Sequence, residues 1–150
     1  MKPRSQQHIF INYARLDSAF VDMLYDLLAS EGFRPWMDRR DILAGQDWKL
    51  ALDSAVENAS VFLAVISENS VEREGYLQVE IKNALEKKLG QIPGKIFIIP
   101  LRIQPCDLPW FVKRENLQAL DWENGKNRDK LLEAICASYQ QQGINLSACS

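Results

Sequence analysis

The sequence predicts an α/β domain built on an open parallel five-stranded sheet with helices on both faces. Three observations carry this reading. Short β-type runs alternate with helical patterns along the chain, the signature of a parallel sheet joined by right-handed crossovers. The run Val61 to Ile66, VFLAVI, is apolar at every position, as a strand covered on both sides must be. The 150 residues, 47% hydrophobic and 25% charged, have an ordinary globular composition and a length suited to one domain with its own core. Residues 1–150 are thus expected to form a single domain, with its core over about 8–142 and a frayed tail after Gly143.

The elements follow in order. His8 to Tyr13 reads as a first strand, apolar at its centre. Asp17 or Ser18 can cap a helix whose apolar positions Phe20, Leu24, Leu27 and Leu28 keep helical spacing up to Gly32. Phe33 to Met37 reads as a second strand and Asp38 to Asp47 as a charged loop containing Gly45. Trp48 to Asn58 is a second helix, and Val61 to Ile66 the central strand. A helix from about Gly75 to Leu89 carries the apolar stripe Leu77, Ile81, Ala84 and Leu85. Ile96 to Ile99 is a buried strand expected to fray or bulge at Pro100, which lacks a ladder donor. Leu117 to Leu120 is a weak last strand, and Arg128 to Gln141 the closing helix.

Composition excludes several functions. With 18 basic and 20 acidic residues the net charge is −2, which argues against a nucleic-acid binder. The most apolar stretch, Ile96 to Ile103, is far shorter than the ~20 residues of a membrane span, and MKPRSQQH precedes no apolar run of a signal peptide. A membrane partner is therefore not expected, and the setting is read as cytoplasmic. Cys106, Cys136 and Cys149 are odd in number and lack CxxC spacing, so reduced thiols are expected. His8 is the only histidine, and no metal-ligand cluster accompanies it. No GxGxxG follows the first strand and no GxxxxGK[ST] occurs, so the common nucleotide-binding signatures are missing. A phosphoacceptor receiver domain shares the layout but needs acidic residues where Asn12-Tyr13 and Ile66-Ser67 stand.

In sheets of this kind ligands bind beyond the carboxyl ends of the strands, at the switch in strand order. That directs attention to Asn12–Asp17, Asp38–Trp48 and Ser67–Glu80. Tyr76 and Glu80 stand four residues apart, so an aromatic ring and a carboxylate project from one side of their helix. Such a pair suits a planar ring attached to a centre that becomes cationic; a solvated glutamate is the plain alternative. The loop Asn12 to Asp17 leads into a helix N-terminus, where amides and the helix dipole favour a phosphate and Arg15 adds charge. Asp38 can accept hydrogen bonds from a ribose, or cap the loop, or pair with Arg39 or Arg40. Trp36, Trp48, Trp110 and Trp122 read as core or rim packing, with Trp48 the one expected to be partly exposed.

These residues carry a resemblance. "IFINYARLDSAFVDMLYDLLASEGFRPWMD" is similar to the start of a Toll/interleukin-1 receptor (TIR) domain, in which an F-[IV]-S-Y-S-like box precedes a helix and an aromatic-x-D strand. "DRRDILAGQDW" resembles the family's BB loop, "VFLAVISENSV" its third strand with a terminal serine, and "GYLQVEIKNAL" the aromatic-x-x-x-E helix of NAD-cleaving members. The similarity runs from about residue 8 to 142. Asn12 replaces the usual serine, Tyr76 the commoner tryptophan, and Pro35 interrupts the second strand.

The resemblance implies a flavodoxin-like TIR fold of the bacterial NAD-cleaving type. It implies an NAD+ glycohydrolase or ADP-ribosyl cyclase in antiphage or immune signalling, activated by self-association. Glu80 would be catalytic, Tyr76 would face a base, Asp38 a ribose, and the loop with Asn12 and Arg15 a phosphate. Gly45 would permit BB-loop movement. NAD+ enters as substrate and no cofactor is implied; the other partners are TIR domains. One carboxylate can suffice because nicotinamide leaves a pyridinium as a neutral molecule, so the general acid of an O-glycosidase is not needed. The alternative is a non-catalytic TIR–TIR interaction module using the BB loop as its contact surface.

Overall fold

A computed structural model of the chain describes residues 8–71, 79–91 and 97–149. Five strands, β1 (Ile9–Asn12), β2 (Pro35–Trp36), β3 (Val61–Ile66), β4 (Ile98–Arg102) and β5 (Leu120–Asp121), form one sheet in the order β2-β1-β3-β4-β5. All four pairings are parallel. The order reverses between β1 and β3, which defines the switch point.

Side-chain alternation divides the core into two layers. Ile9, Ile11, Leu63, Val65, Ile99 and Leu101 face helices α1 (Ser18–Ser30) and α7 (Arg128–Gln141), which contribute Leu24, Leu28, Ile135 and Tyr139. Phe10, Phe62, Ala64, Ile66 and Ile98 face α3 (Trp48–Asn58), α5 (Val79–Gln91) and α6 (Trp110–Arg114). Phe62 anchors this second layer, stacked on Phe10 at 5.3 Å and edge-on to Phe111 at 6.5 Å. Every residue of β3 is buried, as its unbroken apolar run demands. α3 and α7 begin and end where the sequence predicts.

Elsewhere the structure corrects the sequence reading. β2 is only Pro35–Trp36, because the chain turns at once into a short helix, α2 (Asp38–Asp41), where a charged loop was expected. β2 is an edge strand with its outer side closed: Ile9 N donates inward to Arg34 O, Pro35 has no N–H, and Met37 N donates to Asp41 Oδ2 at 2.9 Å. β4 runs straight through Pro100 without fraying there. Phe97 O and Ile103 N bond to β3 while Arg102 O accepts from Trp122 N, so even positions of β4 face β5. Pro100 is such a position, and β5 starts only opposite Leu101, so no ladder donor is lost. The last strand lies at Leu120–Asp121, later than its expected place at 117–120.

The tail and the cysteines also differ from expectation. Gly143, at φ +73°, reverses the chain, Ile144 N bonds back to Tyr139 O at 2.9 Å, and Ile144 is buried. A final 3₁₀ turn, Ser147–Cys149, then lies against α7, and Cys136 and Cys149 form a disulfide with Cα atoms 5.4 Å apart. Two of the three thiols expected to be reduced are therefore paired, since the reversal brings together cysteines thirteen residues apart. Cys106 is the free one, half-buried, with burial pushing its thiol up.

Candidate functional site

A polar cluster floors the switch point and ties the ends of β1 and β3 together. After β1 the chain makes a 3₁₀ turn, Arg15–Asp17, and Asp17 is the residue before α1. Its side chain makes no cap to that helix, contrary to the sequence reading. It is buried, and its carboxylate reaches across to accept from Ser67 Oγ at 2.5 Å and Asn69 Nδ2 at 2.9 Å. Ser67 ends β3, and Ser70 Oγ accepts from Ser67 N while donating to Ser67 O, both at 2.8 Å. The short helix α4 (Glu68–Val71) is thus seated on Asp17 through three hydrogen-bonding residues, Ser67, Asn69 and Ser70. A buried carboxylate with two donors is satisfied rather than exposed.

Beside this floor, Asn12 closes β1 and is buried. Tyr13 follows, and its hydroxyl donates to Asp38 Oδ1 at 2.6 Å. Asp38 also accepts from Arg39 N at 2.8 Å, while the Arg39 guanidinium pairs with Asp22 of α1. Burial first, then the Asp38 hydrogen bond and charge, hold the Tyr13 hydroxyl far above an ordinary tyrosine. Asp38 opens α2, where the sequence reading had the start of a charged loop.

The structure thus brings Asn12, Tyr13 and Asp38 to the carboxyl ends of neighbouring strands. Arg15 is exposed on its 3₁₀ turn, and Gly45, at φ +92°, lies in the exposed stretch 43–47, where a Cβ would meet nothing within 4 Å. Position 80 falls in the first turn of α5, one turn before buried Ala84. Tyr76 lies outside the described residues, as does the Glu80 side chain. Among the described residues no cluster of histidine, cysteine, aspartate and glutamate is placed to hold a metal, and no helix is long and apolar enough to cross a membrane.

Sequence reasoning missed three members of this neighbourhood: Tyr13, Ser67 in its bond to Asp17, and Asn69. The available signal was an Asp following the first strand and a Ser ending the third, both small polar groups at the switch point. Trp48 and Trp110 are both exposed at 42% and 43%, so Trp48 is not alone at the surface, and Trp122 is buried.

Comparison with known proteins agrees with the geometry. The family model for the TIR domain (TIR_2) matches residues 9–136. Two Sinorhizobium fredii proteins described as uncharacterized, y4lF and y4cD, are 26% identical over 103 residues and 28% identical over 107. Those alignments cover 66% and 69% of this chain but 31% and 16% of the relatives, so the chain spans about a third and a sixth of their lengths. The TIR domain of the Toll-related receptor TRR-2 from Hydra magnipapillata superposes with a TM-score of 0.64 at 23% identity, covering 85% of this chain and 96% of that one. A TIR-STING receptor from C. gigas gives 0.70 at 20% identity, over 89% and 41%. The TIR domains of the activated Roq1 resistosome give 0.55 at 17%, over 93% and 85%. At these identities the superpositions establish the fold, and the family model establishes the membership: this chain belongs to the TIR domain family.

Proposed function

We propose that this TIR domain cleaves the nicotinamide–ribose bond of NAD+, as a glycohydrolase or ADP-ribosyl cyclase, when copies of the domain associate. One observation carries the reading: the chain leaves the polar floor at Ser67 and Asn69 and enters α5 with a glutamate, Glu80, in the first helical turn. A carboxylate is the group this reaction needs. It stabilises the oxocarbenium-like ribose while the pyridinium departs as neutral nicotinamide, and no second acid is required. Tyr76 is assigned the face for a base, Asp38 the ribose side, and Asn12 and Arg15 a phosphate. Asp38 must exchange the Tyr13 hydroxyl for that of a ribose, a like-for-like replacement of one O–H donor by another.

Exposed Leu43, Trp48 and Leu50, at 67%, 42% and 64%, favour association through the BB loop and α3. They equally suit the second reading, a TIR–TIR interaction module without catalysis. A role in bacterial antiphage or immune signalling, in the cytoplasm, belongs to the same proposal. In a reducing cytoplasm Cys136 and Cys149 would be thiols, and the tail would be held by the packing of Ile144 and Leu146.

Glu80→Gln keeps the shape and removes the charge. Nicotinamide release, measured by product analysis after NAD+ incubation at high protein concentration, should fall by about 100-fold or more, the scale for deleting one electrostatic stabiliser. Turnover within a few-fold of the parent would refute the role of Glu80. Absence of nicotinamide release by the parent, with self-association intact, would select the interaction module.

A further inference from the structure

Away from the switch point, a cavity of about 390 Å³ opens between the edge strand β2 and helix α3. Among the described residues, Asn12, Arg15, Asp38 and Gly45 do not line it. Its size is at the lower end of the range for small-molecule sites, suited to a mononucleotide rather than a dinucleotide. We propose that this cavity is a second ligand site, which takes a mononucleotide carrying an amino-substituted planar base.

The lining supplies each part of that recognition. Trp36 forms an aromatic wall, held in place by stacking on Phe10 at 5.1 Å and an interplanar angle of 15°. An indole in a half-buried wall is the standard platform for a base, whatever its sequence of ring atoms. Arg34 immediately precedes β2 and Asp41 follows it in α2, so charges of opposite sign flank the indole. A guanidinium stays charged at all working pH values and matches a phosphate with two parallel N–H donors. The Asp41 carboxylate already accepts from Met37 N at 2.9 Å and Tyr25 Oη at 3.2 Å, which fixes its orientation. Each of its oxygens has a second lone pair for a base amino group.

The opposite wall comes from α3. Asn58 Nδ2 donates to Ser54 Oγ at 3.2 Å, so the Asn58 carbonyl and the Ser54 O–H become an acceptor and a donor one helical turn apart. Such an edge reads the hydrogen-bonding side of a heterocycle. Below, His8 Nε2 meets the Ala55 carbonyl at 2.7 Å, which closes the floor at the end of α3. The site therefore combines a stacking face, a cation for phosphate and paired hydrogen-bonding groups on rigid elements. A purely structural gap at a sheet edge needs none of these.

The test is a titration with adenosine 5′-monophosphate (AMP), followed by NMR of the Trp36 indole N–H and the backbone amides of residues 54–58. Saturable shifts at those positions with a Kd at or below about 1 mM are expected. Adenosine, lacking the phosphate, should bind about tenfold more weakly, and exposed Arg34→Glu should weaken AMP by a similar factor. Ser54→Trp, at an exposed position on α3, should fill the cavity and abolish the shifts while leaving the thermal midpoint near the parent's. Shifts that appear only at the β1 and α5 ends would overturn the site, as would equal AMP affinity in the parent and both variants. Binding that is indifferent to the phosphate would overturn the role of Arg34.

Discussion

The two halves of the segment from Asp38 to Asp47 are built differently. The first half, helix α2, is fastened on every side. Arg40 pairs with Asp22 at 3.1 Å and Asp26 at 2.8 Å, and its guanidinium lies 4.4 Å over the Tyr25 ring. Arg39 pairs with Asp22, Tyr25 donates to Asp41, and Tyr13 donates to Asp38. Beyond Ile42 the bonds turn local: Leu43 N donates to Gln46 Oε1 at 2.7 Å and Gln46 N to Leu43 O at 3.1 Å. Every residue from Leu43 to Asp47 is exposed. The BB loop is therefore a pliable tip of five residues on a clamped base. A single charged stretch in the sequence conceals this boundary, because the charges of the base are spent on α1 rather than on solvent.

The largest effect should come from stiffening the tip. Gly45 sits at φ +92°, which proline, fixed near −65°, cannot adopt. Gly45→Pro should lower NAD+ turnover and self-association together by about tenfold or more, equivalent to roughly 1.4 kcal/mol of coupling. The thermal midpoint should change little, since the strain falls in the exposed tip, outside both core layers. Parallel kinetics and light scattering over a range of protein concentration make the measurement. Loss of turnover with unchanged association would separate the tip's role in the site from its role in assembly.

Loosening the base should have an intermediate effect. Arg40→Gln removes two ion pairs and the cation over Tyr25 but leaves the tip's own turn intact. Surface pairs contribute little individually, so global stability should barely move. Local opening is the sensitive readout: amide hydrogen exchange at residues 39–42 should rise by roughly tenfold, while that of β3 stays fixed. Equal exchange in parent and variant would mean that the Tyr25–Asp41, Tyr13–Asp38 and Arg39–Asp22 contacts hold α2 without help from Arg40.

Much of this was legible in the sequence, for identifiable reasons. The apolar run of β3 and the stripes of α3 and α7 report burial directly, and burial decides sheet order and layers. What stayed hidden depends on chain reversals and cross-strand reach. Asp17 reads as a helix cap because Asp before a helix usually is one; here Ser67, fifty residues on, draws its carboxylate away. Pro100 reads as a strand breaker, and only the parity of the β4 ladder shows that its nitrogen faces an empty edge. Cys136 and Cys149 look unrelated until Gly143 turns the tail back onto α7. At the site, Asn12 and Asp38 were visible as strand-end polar residues, but Tyr13 between them was not, because an aromatic after a strand reads as core.

The smallest effect concerns that tyrosine, which links β1 to the clamped base. A free tyrosine titrates near pH 10. Burial, followed by the hydrogen bond and charge of Asp38, raises Tyr13 well above this in the folded chain. A group raised on folding contributes stability in full below its unfolded value, and that contribution is lost as pH rises toward the folded value. Tyr25 and Tyr139 are also raised, chiefly by burial, so the parent should lose stability on the alkaline side from all three. Tyr13→Phe removes one share. The gap between parent and variant urea midpoints should hold constant from about pH 7 to 9 and narrow above about pH 10, where the parent's Tyr13 contribution declines. A gap near zero at every pH would mean that the ring, which phenylalanine keeps packed against the α1 layer, matters more than the hydroxyl, and a gap that persists unchanged at higher pH would mean that Tyr13 does not titrate differently in the folded and unfolded chains. In the first case the clamp would rest on the ion pairs of Arg39 and Arg40 and the contacts of Tyr25 with Arg40 and Asp41.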